Sequence, residues 1–137
     1  MQSHFDISDH AFEMQFQSGS FPPALFTHEA HIRLAWIHIK KYGCQKAIEN
    51  ISSQLLNYVK IIGATGKYNQ TLTVAAVKAV SHFINKSVSS NFADFIQEFL
   101  RLNTNFKDLL AAHYSVDIYH SETARQQFLE PDLLPFT

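Results

Sequence analysis

Two histidines, His28 and His31, open the segment Thr27-His28-Glu29-Ala30-His31-Ile32-Arg33-Leu34-Ala35-Trp36. In a helix this spacing sets two imidazoles one turn apart on one face. A neutral imidazole can ligate a metal, accept a proton or hydrogen-bond a ligand, so the pair is where chemistry would sit. With His28 as origin at about 100° per residue, Ile39, Ala35, Tyr42, His31 and Ile32 fall within about 60° of it. Trp36 and His38 flank this stripe, whereas Glu29, Arg33, Lys40 and Lys41 occupy the other side. Both histidines are thus expected on the apolar face, where buried polar rings need partners.

A second polar group belongs with them. The segment Tyr68-Asn69-Gln70-Thr71-Leu72-Thr73 begins a later helix, on which Asn69 and Thr73 share the inner side with Leu72 and Ala76. In an antiparallel bundle the starts of these two helices lie at the same end. His28, His31, Tyr68, Asn69 and Thr73 are therefore the candidate ligand-binding residues, lining one pocket beneath two helix N-termini. The positive ends of those helices disfavour imidazolium and keep the histidines neutral. Each residue also has a structural reading: His28 and His31 as hydrogen-bonded core residues, Asn69 and Thr71 as capping residues.

The elements that must position these residues are helical throughout. No Val/Ile/Thr-rich alternation reads as a strand. A first helix is expected over 8–17, ending at Ser18-Gly19-Ser20, followed by the extended Phe21-Pro22-Pro23-Ala24. Thr27 is the N-cap of a second helix that runs to Tyr42, with Gly43 at C′. A third covers 45–62 with Ile48, Ile51, Leu55, Val59 and Ile62 in its stripe, and a fourth covers 69–86. Asn91 caps a fifth over 92–102; a short sixth covers 106–113; Ser121 starts a last turn through Phe128. The fold class is all-α: one helical domain over 1–137, a bundle of about five to seven helices, with 1–7 and 133–137 as tails. His4 and His10 fall in or near the N-terminal tail, and His82 on a polar helix face. His113 closes the sixth helix, where its charge suits the dipole.

Composition narrows the function classes. Of 137 residues, 46% are hydrophobic and 17% charged, which excludes a disordered chain. Eleven basic and twelve acidic residues give a formal charge of −1, with no basic patch to track phosphates, so nucleic acid is not an expected partner. The one cysteine, Cys44, has no disulfide partner in the chain and reads as a small buried residue after a helix end, with a reactive thiol as its other reading. The opening MQSHFDISDH has neither part of a secretory leader, and no apolar run is long enough to span a membrane. These readings point to a cytoplasmic protein outside the membrane.

The strings FTHEAHIRLAW, YNQTLT, HYS and FLEPDLLP, taken together, resemble a family of small bacterial helical proteins known mainly as hypothetical, with the pattern FTHxAHxRLAW…YxxTLT…HYS…EPDLxP. The resemblance covers most of the chain from Phe26 to Pro135 and implies one helical domain, with no activity attached. Its members often carry a histidine and an acidic residue where this chain has Asn69 and Gln70. The substitution at Asn69 removes a third nitrogen ligand, so no metal site is assigned.

Three function classes remain. The preferred one is binding of a small molecule in the polar pocket, with no cofactor named. An enzyme using a neutral histidine, alone or beside a metal, is the second. HExxH, a phosphate loop, a GxSxG elbow and a Cys-His nucleophile signature are all absent from the sequence. The third is an interaction module whose apolar C-terminal residues cover its own core or a partner, a homodimer included.

Overall fold

Side-chain caps set the helix starts, as the sequence leads one to expect. In the computed structural model, which describes residues 3–136, Ser8, Thr27, Asn69, Asn91 and Ser121 each accept a backbone N–H from the first turn of the following helix. The fold is all-α: eight α-helices, five of them seven residues or longer, with no strand among the described residues. They are α1 (Asp9–Ser18), α2 (His28–Tyr42), α3 (Cys44–Ile61), α4 (Gln70–Ile84), α5 (Phe92–Glu98), α6 (Arg101–Thr104), α7 (Phe106–Ala111) and α8 (Glu122–Gln126). The chain, read from sequence as one domain, divides into two compact units, Met1–Tyr68 and Asn69–Thr137.

The first unit packs α1, α2 and α3 against one another, most extensively α2 on α3. Gly43 alone joins these two helices at φ 86°, which glycine adopts without the steric cost of a Cβ, and the chain doubles back. The core is aromatic. Phe16 lies 4.6 Å from Phe21 in a stacked arrangement, 4.8 Å from Phe26 and 5.0 Å from Tyr58 between ring centres. The Tyr58 hydroxyl donates to the Phe21 carbonyl at 2.8 Å, so the extended Phe21–Pro22 segment is tied to α3 by both apolar and polar contacts.

Of the expected tail over 1–7, residues 3–7 are described and are packed at His4 and Ile7, contrary to that reading; 1 and 2 lie outside the described residues. His4 and Ile7 are buried, and the agent is Arg33. Its guanidinium donates to the carbonyls of His4 (2.6 Å) and Ile7 (2.7 Å) and to the Asp9 carboxylate (2.8 Å), and it lies 4.7 Å from the Phe12 ring centre. Arg33 Nη1 also meets His4 Nδ1 at 3.3 Å. A guanidinium can only donate, so Nδ1 accepts and the neutral ring carries its hydrogen on Nε2, which faces Glu29 Oε1 at 2.8 Å. Arg33 is only 5% exposed, although the wheel sets it on the polar side. The helix is covered there by residues some 25 positions earlier, a contact that periodicity does not report.

In the second unit α4 is buried on most of its surface, from Thr71 through Val80. The helix expected over 92–102 breaks at Phe99 (φ −127°, ψ 64°), giving α5 and α6. Phe99 turns its ring to Phe83 and Phe95, 5.0 and 5.5 Å away. The C-terminal segment is docked. Leu133 N–H donates to the His113 carbonyl, His113 Nδ1–H to the Leu134 carbonyl, and the His113 ring stacks on Phe136 at 4.2 Å. Tyr114 donates to the Leu129 carbonyl, while the Ser115 hydroxyl and N–H both reach the Asp132 carboxylate. Burial pushes the Tyr114 phenol up to about 12, helped by the nearby Glu130 and Asp132 charges, so it remains a donor.

Candidate functional site

The five candidate residues fall in both units: His28, His31 and Tyr68 in the first, Asn69 and Thr73 in the second. Within the second unit, the polar atoms of Asn69 and Thr73 are engaged. Asn69 Oδ1 accepts from Leu72 N–H at 2.9 Å and Nδ2 donates to the Ile118 carbonyl at 2.8 Å. Thr73 Oγ1 donates to the Asn69 carbonyl at 2.8 Å. Their neighbour Thr71 is a further clamp: its hydroxyl donates to the Gln127 carbonyl (2.8 Å) and accepts from Leu129 N–H (2.9 Å). The residues of YNQTLT therefore cap α4 and hold the segments around Ile118 and Gln127–Leu129. The capping reading describes Asn69; Thr71 does not cap α4 but ties it to the segment Gln127–Leu129.

Within the first unit the two histidines differ. His28 is exposed rather than set in the apolar stripe. It is the first helical residue of α2, whose Cα–Cβ bond tilts toward the helix N-terminus. His31, one turn on, is half-buried and packs its ring 5.5 Å from that of Phe26. Its Nε2 is sealed from solvent and has no hydrogen-bond partner among the described residues. Loss of hydration, and secondarily the neighbouring His28, push its pKa down to about 4. At neutral pH it is therefore an uncharged ring. Tyr68 is half-buried at the end of its unit.

A third histidine of α2 was placed on a flank by the wheel and proves to be fully buried. His38 is 0% exposed, and neither of its ring nitrogens has a hydrogen-bond partner among the described residues. Seven residues from His31, it repeats the same helical position to within about 20°; measured from His31 instead of His28, the wheel places it in the stripe. Its pKa is lowered, by burial first; the Glu13 carboxylate opposes that shift and Lys41 adds to it. Glu13 itself receives Tyr42 Oη at 2.5 Å and Lys41 Nζ at 3.0 Å. Burial alone would raise the Glu13 pKa, but these donors outweigh it and hold the carboxyl low.

His4 belongs to the Arg33 network. Its pKa is lowered by burial and by Arg33, against the raising influence of Glu29. His82 is half-buried, not exposed as its helix face implies. Cys44, expected buried after a helix end, is a half-buried thiol on the first residue of α3. Among the described residues no three His, Cys, Asp or Glu side chains come together to hold a metal ion. No helix among them is long and apolar enough to cross a membrane. No family model, curated protein or solved structure matches the chain.

Proposed function

We propose that the protein binds a small molecule at the N-terminal end of α2, through His31 with His28 beside it. The observation that carries this reading is the His31 ring: uncharged, with a buried nitrogen that has no hydrogen-bond partner among the described residues. A buried polar atom without a partner costs about 1–3 kcal/mol, so a ligand group that hydrogen-bonds it gains that much in addition to its other contacts. Asn69 and Thr73 are left out of the recognition set because their polar atoms are spent on α4 and Ile118. Tyr68 stays in it as a half-buried residue at the end of the same unit.

Binding is favoured over acid–base catalysis by His31 for a chemical reason. A general base works best when its pKa lies near the working pH, and a ring with a pKa of about 4 is a weak base at neutrality. A metal site would need a third or fourth protein ligand besides His28 and His31, and Asn69 is not a nitrogen-heterocycle donor. The rest of the reading is part of the same proposal: kinship with the small bacterial family, a cytoplasmic location, no nucleic acid partner, and a homodimer as the one protein partner. The test is a thermal-shift screen of small metabolites on wild type, His28→Ala and His31→Leu. At least one compound is expected to stabilise the wild type and not the His31→Leu protein. Equal responses in all three proteins reject the site, and a stoichiometric transition metal in the purified protein rejects the metal-free version.

A further inference from the structure

A cavity of about 330 Å³ is lined by residues of the second unit alone. Its apolar lining includes Phe83 of α4, Leu109 of α7 and Phe136 of the docked C-terminal segment. Its polar lining consists of three basic side chains, His82, Arg101 and His113, and no carboxylate is among the described lining residues. The volume is at the small end of the range for ligand pockets.

The hydrogen-bonding capacity of these three groups is largely unspent. The Arg101 guanidinium makes no ion pair or side-chain hydrogen bond among the described residues, although it is the one permanently charged group in the lining. The His82 ring touches Phe83 edge-on at 5.3 Å, and its nitrogens have no hydrogen bond among the described residues. His113 spends Nδ1–H on the Leu134 carbonyl, which can only accept, and so keeps Nε2 for a further partner. Elsewhere in the molecule a buried arginine is fully used: Arg33 has two carbonyls and a carboxylate. A shallower depression of about 240 Å³ in the same unit lacks this bias, because Asp117 shares its lining with Lys107, and Lys107 lies over the Tyr119 ring.

We infer that this cavity is a binding site for a small organic monocarboxylate with an apolar body: the carboxylate pairs with Arg101, His82 and His113 supply further hydrogen bonds, and the body lies against Phe83, Leu109 and Phe136. A planar guanidinium matches a carboxylate in a bidentate geometry, and one fixed positive charge in a lining without a carboxylate selects one negative charge. The Leu134–Phe136 segment, held by His113, makes the ligand wall and the docking of the C-terminal residues one structure.

Benzoate is the probe. Titrated into the full chain at millimolar concentrations and followed by amide chemical shifts, it is expected to move resonances at 79–83, 112–113, 134 and 136. Benzamide, the uncharged isostere, and inorganic phosphate, an anion without an apolar body, are expected to bind at least tenfold more weakly. Arg101 is exposed, so Arg101→Gln leaves the fold intact, as circular dichroism will register, and is expected to weaken benzoate at least tenfold. Arg101→Lys retains part of the affinity. The inference is overturned if benzoate leaves these resonances unmoved, if benzamide binds as tightly, if phosphate binds more tightly, or if Arg101→Gln binds benzoate like the wild type.

Discussion

Arg33 and His38 show how differently one helix treats two buried polar side chains. Both lie on α2 and both are almost wholly removed from water. Arg33 recovers its hydration by donating to two carbonyls and a carboxylate, whereas His38 recovers none at either nitrogen. An unsatisfied group of this kind costs about 1–3 kcal/mol, and an apolar residue of similar size escapes the penalty. His38→Leu is therefore expected to raise stability at neutral pH by about 1 kcal/mol, read as a higher urea midpoint with an unchanged slope. A lower midpoint would mean that the ring does have a partner. The contrast also marks what single-helix reasoning can see. It picked out His31, which carries the unsatisfied nitrogen, because three- and four-residue spacing is local information. It missed the burial of His4 and Arg33, since their partners lie 24–29 residues away. His38 was within its reach, one multiple of seven from His31.

At the scale of elements, caps and glycines were legible to within a residue or two. Ser8, Thr27, Asn69, Asn91 and Ser121 each announce a helix start by chemistry that acts over three residues. The break at Phe99 was not legible, because the apolar spacing from Phe92 to Leu102 suits one continuous helix. The ring contacts to Phe83 and Phe95 that accompany the break are tertiary. The same division runs through the YNQTLT, HYS and FLEPDLLP strings. In the sequence these strings carry a family resemblance; in the second unit their residues, with Gln127, hold one another: Thr71 to Gln127 and Leu129, Tyr114 to Leu129, Ser115 to Asp132. Thr71→Val tests this clamp with almost no change of shape. It leaves the Gln127 carbonyl and the Leu129 N–H without their partner, and each hydrogen bond contributes about 1 kcal/mol. A loss of about 2 kcal/mol is expected, together with faster amide exchange at Leu129. Unchanged exchange there would show that the C-terminal segment is held without Thr71.

For the molecule as a whole, the charge balance near neutrality conceals a strong dependence on mild acid. Of eight histidines, His4, His31 and His38 have pKa values lowered chiefly by burial. Above the ordinary histidine value of 6.5, the folded and unfolded chains both hold these rings uncharged, and stability does not depend on them. Below it the unfolded chain takes up protons that the folded chain refuses. Stability therefore falls as pH drops, and the His31 contribution is complete only when its folded value of about 4 is reached. For His31 alone the limiting slope is about 1.4 kcal/mol per pH unit, and the full loss about 3 kcal/mol. His4 and His38 steepen the fall. Glu13, whose carboxyl is held low by Tyr42 and Lys41 against the effect of burial, adds a loss of the same sign at lower pH, where the unfolded chain takes up a proton below the ordinary value of 4.5 and the folded carboxylate refuses it. Urea unfolding at a series of pH values from 7.5 to 4.5 should therefore show a plateau, then a steep decline beginning near 6.5. His31→Leu should flatten that decline by up to about 1.4 kcal/mol per pH unit, whatever it does to stability at pH 7.5. Parallel curves for the two proteins would show that His31 takes its proton in the folded chain as readily as in the unfolded one. The uncharged ring on which the binding proposal rests would then be lost.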